Sequence, residues 1–308
     1  MFNLNTYNQQ INLPILDEKE IGLFIKREDL IHPSISGNKY RKLKYNLLEA
    51  KRLKLEIILT FGGAYSNHIA ATAAAGKIGG FKTIGIIRGD ELANDLDNVL
   101  ENNKTLKFAN SQGMDFKFVS REDYRNKKEE VFLKKLKEEY GNFYLIPEGG
   151  TNELAVKGCQ EILTAEDEKF DYICSAVGTG GTIAGLINAT TKAQKVIGFP
   201  ALKGNFLEGE IRKFSKENNF WHLENEYHFG GYGKFNEELI SFINSFKEKT
   251  TIPLDPIYTG KMVYGIINMV SNDKFQRGSK ILIIHTGGLQ GIEGINQKLK
   301  RRNMDLIQ

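Results

Sequence analysis

The chain has 308 residues, of which 41% are hydrophobic and 26% charged. This is the balance of an ordinary folded protein and excludes a wholly disordered one. The net charge of +4 is a small excess of 42 basic over 38 acidic residues, too little to mark a nucleic-acid surface, and no apolar run approaches the ~18 residues of a membrane span. The start of the chain lacks a basic stretch followed by an apolar run, so no signal peptide and a cytoplasmic location are expected. Cys159 and Cys174 are too few for a disulfide scaffold and have no metal-ligand spacing, so they read as buried thiols and no metal is expected.

In chain order, strands are expected at residues 57–61, 83–87, 116–119, 144–146, 172–177, 196–199 and 281–284. Several are continuously apolar, as strands covered on both faces are. Helices are expected at 42–53, 67–76, 94–111, 128–140, 153–163 and 182–190. This alternation predicts an α/β fold with parallel sheets. Pro147-Glu148-Gly149-Gly150-Thr151 has no periodicity and reads as a crossing between domains. Residues 223–235, rich in Gly, Tyr and His, read as a long loop of the kind that carries function.

Five segments hold residues suited to chemistry. Gly178-Thr179-Gly180-Gly181-Thr182 follows a strand and opens a helix. Its glycines allow backbone N–H groups to converge at a helix N-terminus, which suits a phosphate. It is neither a dinucleotide fingerprint, since Ile183 stands where that pattern needs glycine, nor a P-loop. Ser36-Gly37-Asn38-Lys39-Tyr40-Arg41-Lys42-Leu43-Lys44 places lysines at a helix start, where the positive dipole end lowers an amine pKa toward that of a Schiff-base lysine. On composition alone Lys42 and Lys44 compete with Lys39, and the cluster also reads as a solvated face. Gly62-Gly63-Ala64-Tyr65-Ser66-Asn67-His68 runs from a strand into a helix, and Ser66 and Asn67 serve equally as caps or as a grip on a carboxylate. Asp255-Pro256-Ile257-Tyr258-Thr259-Gly260-Lys261 is a turn before a helix, and His285-Thr286-Gly287-Gly288 follows the last strand.

Together and in this order, these segments resemble the 1-aminocyclopropane-1-carboxylate (ACC) deaminase / D-cysteine desulfhydrase family from Lys26-Arg27-Glu28-Asp29 onward. The resemblance implies the tryptophan-synthase-β-like fold, fold type II among pyridoxal 5'-phosphate (PLP) enzymes. It implies two open twisted sheets, mostly parallel and flanked by helices. Residues 1–44 and 148–308 would form a large PLP-binding domain and 45–147 a small α/β domain, with the active site in the cleft between them. It also implies a homodimer and a small amino acid as substrate. Lys39 matches the Schiff-base lysine. Ser66, Asn67 and His68 match the loop that holds the substrate carboxylate, with Asn67 near the cofactor's phenolic oxygen. Gly178, Thr179, Gly180, Gly181 and Thr182 match the phosphate cup, and Tyr258 and Tyr232 match two active-site tyrosines. Thr259 takes the position facing the pyridine nitrogen, where ACC deaminases of the family place a glutamate.

A neutral residue there gives a weaker electron sink, better suited to β-elimination than to opening a cyclopropane ring. D-cysteine desulfhydration is therefore the first expectation and ACC deamination the second, beside another β-eliminating or β-replacing activity. Ser36 stands where many relatives have glycine. A protein that binds PLP or an amino acid with little catalysis is the reading from another class.

Overall fold

Continuous apolar runs become strands buried on both faces, and the helices that cover them bring the glycine loops to one end. The computed structural model describes residues 6–216 and 220–308. The elements are β1 (Asn8–Ile11), α1 (Pro14–Glu18), β2 (Gly22–Lys26), α2 (Asn38–Arg52), β3 (Ile57–Gly63), α3 (Asn67–Gly79), β4 (Lys82–Arg88), α4 (Leu96–Asn102), α5 (Lys104–Ser111), β5 (Met114–Val119), α6 (Arg121–Arg125) and α7 (Glu130–Tyr140). They continue with β6 (Tyr144–Ile146), α8 (Glu153–Gln160), β7 (Tyr172–Val177), α9 (Gly181–Ala189), β8 (Lys195–Pro200), α10 (Phe206–Arg212), β9 (Trp221–Leu223), α11 (Glu237–Thr250), α12 (Thr259–Ser271), β10 (Lys280–Ile284) and α13 (Gly291–Arg301).

The strands form a six-stranded sheet in the order β1-β2-β10-β7-β8-β9 and a four-stranded sheet in the order β5-β4-β3-β6. β1 is antiparallel to β2; every other pairing is parallel. The strand alternation divides the large sheet's core between its two faces. Ile281 and Ile283 pack with Met262, Val263 and Ile266 of α12, whereas Leu282 and Ile284 pack with Ile183, Leu186 and Ile187 of α9. In the small sheet, Ile58 packs with Leu43, Leu47 and Ala71 of α2 and α3, while Leu59 and Phe61 pack toward Leu136 of α7. The chain leaves the small sheet at Ile146 and next enters the large one at Tyr172.

Seven strand expectations fall on β3 to β8 and β10; β1 and β9 carry little apolar sequence, and β2, apolar at Leu23-Phe24-Ile25, runs straight into a charged segment. The expected helix at 94–111 is two helices. Asn103 breaks it in extended conformation, and its side chain accepts from the N–H groups of Thr105 and Leu106 to cap α5. That local bond outcompetes helix continuation. α2 begins at Asn38 rather than 42, so Lys39 lies inside its first turn.

The basic run in α2 is not a solvated face. Arg41 and Lys42 are both buried. Their setting comes from the end of β2, where four consecutive charged residues turn inward and each finds a partner. Lys26 Nζ lies 2.6 Å from Asp167, Arg27 pairs with Asp29 at 2.8 Å, and Arg41 forks onto Glu28 at 2.8 and 2.9 Å. Glu28 also accepts the Thr6 hydroxyl at 2.7 Å. A two-pronged guanidinium–carboxylate pair in a dry setting fixes orientation as well as distance. It ties the first turns of α2 to the end of β2.

Replacing Arg41 by Met should strand the Glu28 carboxylate in the interior. A loss of about 3–5 kcal/mol in unfolding free energy is expected in urea titration. A change within about 0.5 kcal/mol, the range of surface substitutions, would show that the pair is not structurally important.

Candidate active site

Loops after β3 and β6 of the small sheet meet loops after β10 and β7 of the large one: a Cβ on Gly288 would lie 3.1 Å from Asn67, and a Cβ on Gly149 2.8 Å from Thr179. Ligands in open α/β sheets bind outside the C-terminal ends of strands, where such loops begin. Beside them, α2 is seated on the loop after β10 at Gly37, whose φ is +63°. A Cβ there would lie 1.9 Å from the carbonyl oxygen of Thr286, in the loop after β10. Only glycine permits this approach. The Asn38 N–H donates to the same oxygen at 3.3 Å, so α2 starts against the end of β10.

Lys39 sits one residue further on, half-buried. Its amine is 3.1 Å from the side-chain oxygen of Asn38 and has no ion pair among the described residues. Burial, with the nearby Lys42 charge adding to it, brings its pKa down to about 7. The rival lysines are engaged elsewhere. Lys42 Nζ donates to the Gly149 carbonyl at 3.0 Å and to Thr151 Oγ1 at 3.1 Å, and Lys44 pairs with Glu161 at 2.7 Å. Geometry thus separates three lysines that composition left equal.

The Gly178–Thr182 turn joins β7 to α9. Gly180 takes the left-handed conformation with φ +82° at the N-cap. Thr182 Oγ1 accepts from Asn38 Nδ2 at 2.8 Å, which ties the turn to the neighbour of Lys39. Thr179 and Thr151 share a hydrogen bond of 2.6 Å, linking the turn through Thr151 to the Lys42 amine.

In the loop after β3, Ser66 caps α3 by accepting from the Ile69 N–H at 3.4 Å. Asn67 lies against the last glycine loop: a Cβ on Gly288 would be 3.1 Å from Asn67 Nδ2 and 3.3 Å from Asp255 Oδ1. Asn67 Oδ1 is buried without a hydrogen-bond partner among the described residues. The His68 ring turns inward. Thr60 gives its one hydroxyl hydrogen to the Ile146 carbonyl at 2.8 Å, so it accepts from His68 Nε2–H at 2.8 Å. Nδ1 is then the bare nitrogen, buried and unpartnered. Burial, reinforced by Lys39 and Lys42, holds His68 well below the usual histidine range and therefore neutral.

Tyr258 closes the opposite side. A Cβ on Gly178 would meet its ring at 3.1 Å, and the Tyr232 ring lies edge-on to it with centroids 6.1 Å apart. Burial raises the Tyr258 phenol well above 10 and raises Tyr232 as well, so both are protonated at neutral pH. Thr259 is fully buried and committed to Asp255: its hydroxyl donates to Asp255 Oδ1 at 2.7 Å and accepts the Asp255 N–H at 3.0 Å. Its single hydrogen is already in use.

Sequence reasoning left three contributors unassigned. Asp255 accepts the N–H groups of Ile257, Tyr258 and Thr259, all within 2.9 Å, and so shapes the turn beneath both site residues. The Thr286 carbonyl seats α2. Lys261 donates to the carbonyls of His228 and Gly231, both at 2.8 Å, and holds the loop that carries Tyr232. Burial brings the Lys261 pKa down to about 8. The Asp-Pro-x-Tyr-Thr pattern, with Asp at a turn start, was a readable signal for the first; the others need the fold.

The Lys39 amine is half neutral near pH 7, whereas an unshifted lysine is so only near ~10.4. The rate at which cofactor-free protein condenses with an aldehyde at Lys39 should therefore climb through about pH 7 and level off above it. Borohydride trapping followed by peptide mass analysis measures it. A rate still climbing at pH 9–10, the range of ordinary lysines, would contradict the depressed pKa.

Comparison with known proteins identifies the family. The family described as "Pyridoxal-phosphate dependent enzyme" matches residues 6–287. A bifunctional D-cysteine desulfhydrase/1-aminocyclopropane-1-carboxylate deaminase of Arabidopsis thaliana is 34% identical over 294 residues, 88% of this chain and 73% of that protein. A putative 1-aminocyclopropane-1-carboxylate deaminase of Pyrococcus horikoshii is 32% identical over 305 residues, 91% of this chain and 89% of that one. The crystal structure of an ACC deaminase homologue superposes with a TM-score of 0.79 at 30% identity, covering 97% of this chain and 94% of that chain. The chain therefore belongs to the pyridoxal-phosphate-dependent enzymes, with the α/β fold of type II, and within them to the ACC deaminase / D-cysteine desulfhydrase family.

Proposed function

We propose that this enzyme is a lyase that converts D-cysteine and water to pyruvate, ammonia and hydrogen sulfide by α,β-elimination. The observation that carries this reading is Thr259. A neutral hydroxyl stands where the resemblance places glutamate in ACC deaminases, and its hydrogen is held by Asp255. It supplies no charge to keep a pyridine nitrogen protonated.

The residues fit the cofactor. Asn67 Oδ1 is buried without a hydrogen-bond partner among the described residues, Gly180 takes the left-handed conformation at the N-terminus of α9 as an anion-binding turn requires, and the Lys39 amine is half neutral near pH 7 with no ion pair among the described residues. In this reading Lys39 holds the cofactor covalently, Gly178 to Thr182 hold its phosphate, and Asn67 faces its ring hydroxyl. Thr259 lies toward the pyridine nitrogen. When bound, the cofactor supplies an electron sink conjugated to the substrate amine. Everything else falls to the protein.

Ser66, Asn67 and the backbone at His68 receive the substrate carboxylate at the positive end of α3. The inward turn of the His68 ring leaves its main chain, not its imidazole, for that task. Proton roles follow from the pKa directions. With a pKa of about 7, Lys39 can both accept and return a proton near neutrality. Tyr258 and Tyr232 remain protonated, so they act as donors, and Tyr258 is the more deeply enclosed. Residues 45–147 form the smaller lobe over this site.

ACC deamination is the second reading, favoured by the names of the Pyrococcus protein and of the superposed structure. A panel of D-cysteine, L-cysteine, D-serine and ACC decides between them, with sulfide and keto acid measured for each. Sulfide and pyruvate from D-cysteine are expected. No sulfide from D-cysteine, with α-ketobutyrate from ACC, overturns the proposal. In the same assay, loss of a visible-edge absorbance band in Lys39→Ala is expected.

A further inference from the structure

Arg88 is a cation at the site that the proposed chemistry does not use. It is the last residue of β4 and the register partner of Gly63, the last residue of β3. Both strands end on the same edge, and the β3 end continues directly into Ser66 and Asn67. A Cβ on Gly63 would have one near neighbour, the Arg88 guanidinium at 3.8 Å. The cation therefore stands beside the loop to which the substrate carboxylate is assigned, over a residue with no side chain to screen it.

The surrounding carboxylates do not neutralise it. Glu91 pairs with Arg121 at 2.6 Å. Glu148 accepts the Tyr124 hydroxyl at 2.8 Å and pairs with Lys127 at 3.2 Å. Arg88 itself rests against the Tyr124 ring, 5.7 Å from its centroid, which holds the guanidinium in place without cancelling its charge. Among the described residues it makes no ion pair. The guanidinium is open to solvent and lies over the end of β3 at Gly63, three residues before Ser66.

We propose that Arg88 is a specificity-determining residue that selects small amino acids whose side chain carries, or releases, a negative charge. The inference rests on the site assignment above and extends it. The α-carboxylate goes to the α3 terminus, and a second anion on the β-carbon meets the guanidinium one strand over. For a cysteine substrate the step balances. As Lys39 takes the α-proton, the C–H electron pair forms the Cα–Cβ double bond. The C–S pair leaves with sulfur as hydrosulfide, and Arg88 is its counter-ion.

The test reads binding and not turnover. Holoenzyme is titrated with D-alanine and with D-aspartate, and dissociation constants are taken from the change in cofactor absorbance. In the native protein D-aspartate should bind the tighter. In Arg88→Gln its affinity should fall about tenfold while that of D-alanine stays, and Arg88→Lys should recover part of the loss. An unchanged urea midpoint shows that Arg88→Gln remains folded. The proposal is overturned if D-aspartate fails to bind, if the ratio of the two affinities is unchanged, or if both ligands weaken equally. The last result would place Arg88 on the α-carboxylate. A holoenzyme that turns over ACC but not D-cysteine would overturn the substrate assignment, and the D-aspartate to D-alanine ratio would still decide Arg88.

Discussion

The contact between Gly37 and the Thr286 carbonyl is the constraint on which the site depends. At a separation that excludes even one methyl group, the start of α2 is pressed onto the loop after β10. A helix seated this way directs its first turn into the space between the two sheets. Asn38 extends the seating in two directions, through its N–H to Thr286 and through its side chain to Thr182. Lys39 follows without freedom to drift, its helix held from behind by the Arg41–Glu28 fork. Backbone strain is modest here, because glycine occupies positive φ at little cost. The design depends on the absence of a side chain.

Electrostatics then makes Lys39 different from its neighbours. The buried charges near it have partners: Arg41 has Glu28, Lys26 has Asp167, and Arg27 has Asp29. Lys42 has two neutral acceptors, and its charge presses on Lys39. Burial without an ion pair disfavours the protonated amine, and this lowers the Lys39 pKa to the working range of a proton shuttle. Burial acts oppositely on the phenol of Tyr258 and keeps it as a donor. One environment thus divides acid from base by the sign of the charge each group would carry.

Much of this was legible in the sequence, and the failures share a cause. The strands from β3 to β8 and β10 are apolar enough to announce themselves, and the glycine turns before α2, α3 and α9 marked the loops that converge. β2 is hidden because its apolar residues run into Lys26-Arg27-Glu28-Asp29, which looks like surface sequence. Burying four charges is tolerable only when Asp167 and Arg41 answer them from more than ten positions away, and no local pattern reveals that. Asn103 shows the reverse case. An amphipathic pattern runs through it, yet a side-chain bond to its own backbone ends one helix and starts the next. In the sequence only motif resemblance sets Lys39 apart from Lys42 and Lys44; in the folded chain the three differ in where each amine is bonded.

Thr259 joins the site to the fold more closely than a substitution list suggests. Its hydroxyl exchanges two hydrogen bonds with Asp255, and Asp255 also gathers three successive N–H groups at the start of α12. The group expected to face the cofactor's nitrogen is thus part of the cap of its own helix. An acidic side chain in its place would bring a second carboxylate beside Asp255, and two like charges in a buried site do not both stay ionised. The neutral residue suits this particular helix start, and Asp255, which holds the Thr259 hydroxyl, also holds Tyr258 in position. Under the proposed function, substrate preference is in that sense a property of the α12 cap as much as of the pocket it faces.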